Sequence, residues 1–255
     1  MQSNKIIWAM SIFFILSAVS CASNLETRKR QSAAVRKVGE VYLSQENYTA
    51  ALRQLLEAEQ LYSKDHLLHN ALGIAYRKKG LVEKAIFHFE KAIELKPDFA
   101  PAVNNLGTVY FDQKDYDAAI ACFKKVSGEL LYATPYYAFY NLGKAYYEKK
   151  EYGLSEEYYM KALDSEPKFL DPLVGLGRVY IATGKISDAI SALTSALKQY
   201  PQYARAYFYL GQAYTLIKDY RRAVLAYQKA IEIEPNTPLA RDSNIELKKL
   251  KKYFK

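Results

Sequence analysis

The chain of 255 residues holds only two cysteines, Cys21 and Cys122, and three histidines, His66, His69 and His88. If Cys21 is chemically modified, no internal disulfide can form, so the fold must be held by packing alone. His66 and His69 stand one helical turn apart, a spacing that suits a metal pair, but neither a cysteine nor a third convergent histidine completes the set. No metal and no cofactor are therefore expected. A Gly-rich phosphate loop and a Gly-x-Ser-x-Gly elbow are also missing, so catalytic residues are not expected and the chain reads as a non-enzyme. The longest apolar run, Ile6 to Val19, is about 14 residues, the size of a signal-peptide core. A membrane-spanning helix needs about 20.

What is present is a period. Gly39, Gly73, Gly107, Gly143, Gly177 and Gly211 each follow Leu or Val and lie 34 residues apart, except for one interval of 36. Three residues after each stands Tyr42, Tyr76, Tyr110, Tyr146, Tyr180 or Tyr214. Twelve after each comes Ala51, Ala85, Ala119, Ser155, Ala189 or Ala223, and seven further on Ala58, Ala92, Val126, Ala162, Ala196 or Ala230. Small residues at fixed places let two helices approach closely while larger neighbours fill the gaps. A period near 34 marks a helical repeat array whose units bury their apolar faces only against one another.

The signature Leu72-Gly73, Tyr76, Ala85, Phe89, Ala92, Pro97 resembles the tetratricopeptide repeat, and the likeness runs from about residue 32 to 236. It implies an all-α, right-handed superhelical solenoid of six helix-turn-helix repeats, at 32–65, 66–99, 100–135, 136–169, 170–203 and 204–237. In the second repeat the residue pattern predicts helices from about His66 to Lys79 and Val82 to Leu95, with Gly80 supplying the turn and Pro97 the stop. Residues 238–255, with Leu239, Ile245, Leu247 and Leu250 between charges, read as a basic helix capping the array. By the family pattern, His69 falls where these repeats pack a large side chain. Cys122, beside Phe123, reads as a small buried hydrophobe.

The start of the chain carries a separate message. The small residues of Leu16-Ser17-Ala18-Val19-Ser20-Cys21 resemble a bacterial lipoprotein box, which implies a signal peptide over 1–20, lipidation at Cys21 and a tether over 21–31. Ala18-Val19-Ser20 also satisfies the small-x-small rule of ordinary signal cleavage. More than one acyl chain would hold the protein firmly. Ala22 after the cysteine points, within that family, to the outer membrane and its periplasmic face. The formal net charge is +9, with Arg28, Lys29 and Arg30 beside the proposed anchor and Lys248, Lys249, Lys251, Lys252 and Lys255 at the other end. Basic residues next to an anchor favour acidic head groups. Nucleic acid is not an expected partner of an exported chain without a nucleic-acid-binding module.

The tetratricopeptide resemblance assigns partner binding to the first helix of each repeat. Its positions are Asn70, Ile74 and Arg77; Asn104, Thr108 and Phe111; Tyr140, Lys144 and Tyr147; Val174, Arg178 and Ile181; and Phe208, Gln212 and Thr215. This set is aromatic and modestly basic and suits an extended or helical peptide, with rings as anchors and Asn, Lys and Arg pairing to backbone or carboxylate. The carboxylate clamp that some members use on chaperone tails is not matched, since Arg36, Glu40, Ala71, Pro101 and Asn105 occupy its places.

The 36-residue interval contains Ser127-Gly128-Glu129-Leu130-Leu131-Tyr132-Ala133-Thr134-Pro135-Tyr136-Tyr137-Ala138-Phe139, a tyrosine-rich junction with a late proline. With six repeats, Cys21 and Asn141-Leu142-Gly143, this resembles the type IV pilus biogenesis and stability lipoproteins, the PilF/PilW pilotin family. The resemblance implies a lipid-anchored periplasmic factor that binds outer-membrane secretin subunits and promotes their assembly. A cell-envelope adaptor for peptidoglycan enzymes or proteases is the other reading open at this point.

Overall fold

In the computed structural model, residues 24–128 and 134–253 are described, and every regular element among them is a helix. Helix α1 covers residues 24–44 and is followed by α2 (Tyr48–Leu61), α3 (His66–Lys78), α4 (Val82–Leu95), α5 (Ala100–Asp112) and α6 (Tyr116–Ser127). Then come α7 (Pro135–Glu148), α8 (Tyr152–Ser165), α9 (Asp171–Ala182), α10 (Ile186–Gln199), α11 (Ala204–Leu216), α12 (Tyr220–Ile233) and α13 (Pro238–Leu250), which ends in a 3₁₀ turn over Lys251–Tyr253. The chain divides into two compact units, an N-terminal one up to Val109 and a C-terminal one from Tyr110. The proposed signal peptide, Cys21 and residues 129–133 of the long junction lie outside the described residues.

The recurring glycine is a packing device. A Cβ at Gly73 would stand 2.6 Å from the Phe89 ring, one at Gly143 2.6 Å from Tyr159 and one at Gly211 2.6 Å from Tyr227. Gly39 stands in the same relation to Leu55, and Gly177 to Leu193. In each case the partner lies 16 residues downstream, on the second helix of the same repeat. A large side chain thus presses onto the bare backbone of the first helix, and Ala85, Ala189 or Ala223 beside it is wholly buried. Ser155 replaces alanine at this place in the fourth repeat. It is also wholly buried, and its hydroxyl donates to the Gly143 carbonyl at 2.7 Å. That bond satisfies a polar group where an apolar one is usual.

The recurring tyrosine has a backbone duty as well. The carbonyls of Tyr76, Tyr110, Tyr146, Tyr180 and Tyr214 accept from the N–H of Leu81, Asp115, Glu151, Lys185 and Asp219, at 2.8–2.9 Å. This six-residue closure of a helix end requires a left-handed residue one place before the donor. Glu46, Gly80, Lys114, Lys150, Gly184 and Lys218 all have φ between 57° and 77°. Glycine therefore makes the turn in only two of the six repeats, and in the others a charged residue bears the strain.

Two expectations change. Residues 24–31 are not a tether but the beginning of α1, and they are held to α2. Arg28 donates to the Gln60 carbonyl at 3.2 Å, Lys29 Nζ lies 5.4 Å from the Tyr62 ring, and the buried Ser32 hydroxyl donates to the Ala58 carbonyl at 2.7 Å. Pro135 does not close a repeat but opens α7 at its first turn, where a missing N–H costs nothing. At the C-terminal end α13 caps α12: Leu250 is buried in a cluster with Phe208, Ala223, Tyr227 and Ala230, Leu239 and Leu247 pack against that cluster, and Ile245 stays exposed. The partly buried Cys122 thiol is pushed up in pKa by burial, as suits a packing residue.

Candidate functional site

Within the C-terminal unit the first helices α7, α9 and α11 carry the face assigned to partner binding, and one arginine joins all three. Arg178 of α9 places its guanidinium 4.1 Å from the Tyr147 ring of α7 and 5.7 Å from the Tyr209 ring of α11. It also donates to Glu148 at 3.4 Å. A guanidinium over two rings is held by cation–π attraction and by the planarity that lysine lacks. One turn earlier on α7, Lys144 Nζ lies 4.5 Å from the Phe111 ring and 5.6 Å from that of Tyr140.

A second cluster adjoins these residues. Asp171, at the start of α9, accepts from both the Tyr203 hydroxyl and Arg205, and Arg205 donates to the Tyr203 oxygen at 3.1 Å. Burial and Asp171 raise the Tyr140 phenol, and burial followed by the Asp171 hydrogen bond raises Tyr203. Both therefore remain neutral hydrogen-bonding groups at neutral pH. Phe169 meets the rings of Tyr136, Tyr137 and Tyr140 at centroid distances of 5.3, 5.2 and 5.1 Å. The tyrosines that end the long junction thus belong to α7 and cradle Phe169.

Beneath this face lies Tyr159 of α8. A Cβ on Gly143 would stand 2.6 Å from one edge of its ring, and a Cβ on Gly175 of α9 2.5 Å from the hydroxyl end. The ring is wedged between two consecutive first helices and sets how closely they approach. Sequence reasoning missed Gly175, which lies off the 34-residue period, and it missed Asp171, Tyr203, Arg205 and Tyr209. Their signal was available only as acidic, basic and aromatic residues near the start of successive first helices.

The remaining expected positions divide. Tyr140, Lys144, Tyr147 and Arg178 come together. Phe208 does not join them: it is buried, with its ring 5.8 Å from Tyr227 and 5.2 Å from Tyr209, because α11 turns that side toward α12. Val174 is likewise buried. Gln212 is half-buried, and the Thr215 hydroxyl bonds back to the Gly211 carbonyl at 2.8 Å. In the N-terminal unit Asn70 accepts from Asn105 Nδ2 at 2.9 Å, Arg77 and Asn104 are half-buried, and Thr108 bonds back to the Asn104 carbonyl at 2.9 Å.

The histidines also differ from expectation. His66 meets Phe99 edge-on at 4.7 Å. The pair that does converge is His69 and His88, from α3 and α4, with Nδ1 atoms 3.0 Å apart.

The tetratricopeptide-repeat family matches residues 66–99, 100–126, 136–169 and 174–238. The chain belongs to the tetratricopeptide-repeat proteins, a fold that is typically a non-enzymatic scaffold for protein–protein interaction. Among solved structures it is similar to PilF of Pseudomonas aeruginosa, with 20% identity over 86% of this chain and 99% of that one at a TM-score of 0.73. It is also similar to PilW, a widely conserved type IV pilus biogenesis factor, with 21% identity over 83% of this chain and 97% of that one at a TM-score of 0.76. At such identities the likeness is one of fold. The BBSome complex member BBS4 of Bos taurus is 23% identical over 202 residues, 79% of this chain, which spans only 38% of that protein's length.

Proposed function

We propose that the chain is a pilotin: exported, lipidated at Cys21, held at the outer membrane facing the periplasm, and binding secretin subunits so that they assemble as a ring for type IV pilus biogenesis. The observation that carries this reading is the end-to-end match with PilF and PilW, 99% and 97% of whose chains are covered. The resemblance of Leu16-Ser17-Ala18-Val19-Ser20-Cys21 to a lipoprotein box supports it. The rings and cations around Arg178 give the C-terminal unit a surface suited to a peptide with carboxylate and apolar side chains. In the proposed mechanism this face holds a client segment while the lipid commits the pair to the membrane.

The reading is tested by affinity purification from detergent-solubilised membranes. Recovery of a secretin is expected, and recovery of wall hydrolases or proteases in its place contradicts the pilotin role and favours an envelope adaptor. Mass spectrometry of the mature N-terminus tests the anchor. A diacylated or triacylated Cys21 is expected, and an unmodified Cys21 or a terminus downstream of it refutes lipidation.

A further inference from the structure

The six repeats serve as internal references for one another. Four residues before the recurring glycine the other repeats carry Val35, Val103, Phe139, Leu173 and Tyr207, and the second repeat carries His69. Fifteen residues after the glycine they carry Gln54, Cys122, Tyr158, Ala192 and Ala226, and the second repeat carries His88. Twenty residues after it stand Ile93, Ser127, Leu163, Leu197 and Ile231, and the first repeat carries Glu59. Three positions that are largely apolar elsewhere thus become donors, and all three converge in the N-terminal unit. The donor atoms of Glu59, His69 and His88 lie within 4.8 Å of one another.

The geometry points to a binding site for one first-row divalent transition ion, zinc above all, formed by Glu59 of α2, His69 of α3 and His88 of α4. Two imidazoles and one carboxylate are a known zinc donor set that leaves the fourth tetrahedral position for water. His69 Nε2 lies 2.8 Å from the Ser63 carbonyl, which can only accept, so the ring proton is on Nε2 and the Nδ1 lone pair points inward. A metal-binding histidine commonly has such an outer partner. Bonds of about 2.0–2.1 Å in a tetrahedron set neighbouring donors about 3.3 Å apart. The two Nδ1 atoms are already 3.0 Å apart, and a Glu59 oxygen is 3.8 Å from His69 Nδ1. Both histidines are buried, whereas the Glu59 side chain is 28% exposed and can swing inward.

The His88 imidazole is buried and brings its Nδ1 to within 3.0 Å of that of His69, so both rings present a nitrogen to the same point. On coordination the remaining His88 ring proton sits on Nε2, and no net proton leaves the imidazole. The Lys84 charge opposes a cation there and the Glu59 carboxylate offsets it. A hydrogen bond from one imidazole to the other also accounts for a 3.0 Å separation, but it gives no reason for a carboxylate at position 59. The bound ion would pin the second helix of the first repeat to both helices of the second.

The test uses the full chain without a histidine tag, stripped with chelator and titrated with zinc chloride by calorimetry. One ion per chain and a raised melting temperature are expected. Glu59→Gln and His88→Gln should each weaken binding by about 100-fold or more, since loss of even an outer-sphere partner costs roughly 10- to 100-fold. Glu59→Gln alters a half-exposed side chain, so its melting curve in chelator should match that of the parent, and it decides the matter if His88→Gln fails to fold. Failure of the parent to take up stoichiometric zinc overturns the proposal. So does a Glu59→Gln variant that binds as tightly as the parent, which would place the ion elsewhere.

Discussion

The two compact units are built from one repeat yet filled with different chemistry. Four of the 24 tyrosines lie before Tyr110 and twenty from there on, whereas all three histidines lie before it. In the N-terminal unit the buried or half-buried first-helix side chains Arg36, Asn70 and His69 meet polar partners: Glu40 and Asp65, Asn105, and His88. In the C-terminal unit Arg178 and Lys144 lie over two rings each, where the N-terminal cations that lie over rings each meet one. The difference teaches that the 34-residue frame fixes where side chains go and leaves open what a face does.

The largest expected effect is at the ring that separates α7 from α9. Tyr159→Ala should cost about 3–5 kcal/mol, the range for removing a large buried aromatic, as read by urea denaturation. Gly175→Ala should cost about 1–3 kcal/mol by forcing that same ring to move. Equal stability of the Gly175→Ala variant and the parent would show that the wedge is loose.

Next comes alkaline pH, which should weaken the tyrosine-rich unit. Burial raises the Tyr227 phenol from 10.0 to about 12, so the folded state favours the protonated form. Its contribution is whole below pH 10 and is lost as pH rises toward 12. Stability should fall by about 2 kcal/mol over that window, and Tyr227→Phe should remove this part of the fall. A pH dependence unchanged by Tyr227→Phe would contradict the assignment.

Smaller effects test the frame that the units share. Ser155→Ala should cost about 1 kcal/mol through loss of the hydrogen bond to Gly143, as measured by thermal melting. If the variant gains stability instead, that serine is a tolerated defect. Lys218→Gly should stabilise by about 0.5–1 kcal/mol, since a left-handed residue other than glycine is strained, and Gly80→Ala should destabilise by a similar amount. A Lys218→Gly variant that loses stability, or a Gly80→Ala variant that keeps it, would show that the two turns are not equivalent.

The all-helical repeat and the ends of α3 and α4 were legible because helix packing imposes a strict spacing on glycine, alanine and proline. The turn of the second repeat was legible at Gly80, but four of the other repeats turn at Glu46, Lys114, Lys150 and Lys218, which carry no compositional mark of a positive φ. The cation–ring cluster was legible at Tyr147 and Arg178, where the family pattern names positions. It was not legible at Phe208, whose burial depends on how α11 rolls against α12, nor at Arg205 and Asp171, which meet only across two helices. The His69–His88 pairing was hidden for the same reason: a separation of 19 residues has no helical meaning until α3 and α4 fold back on each other.

We propose that the Arg178-centred face of the C-terminal unit is where the chain holds a protein. The most direct measurement compares the parent with a Tyr147→Ala, Arg178→Ala double variant as bait against solubilised membranes, with circular dichroism confirming that both are helical. The parent should retain a membrane-protein client and the double variant should lose at least about nine-tenths of it, a tenfold change equivalent to about 1.4 kcal/mol. Equal recovery by two equally folded baits would contradict it.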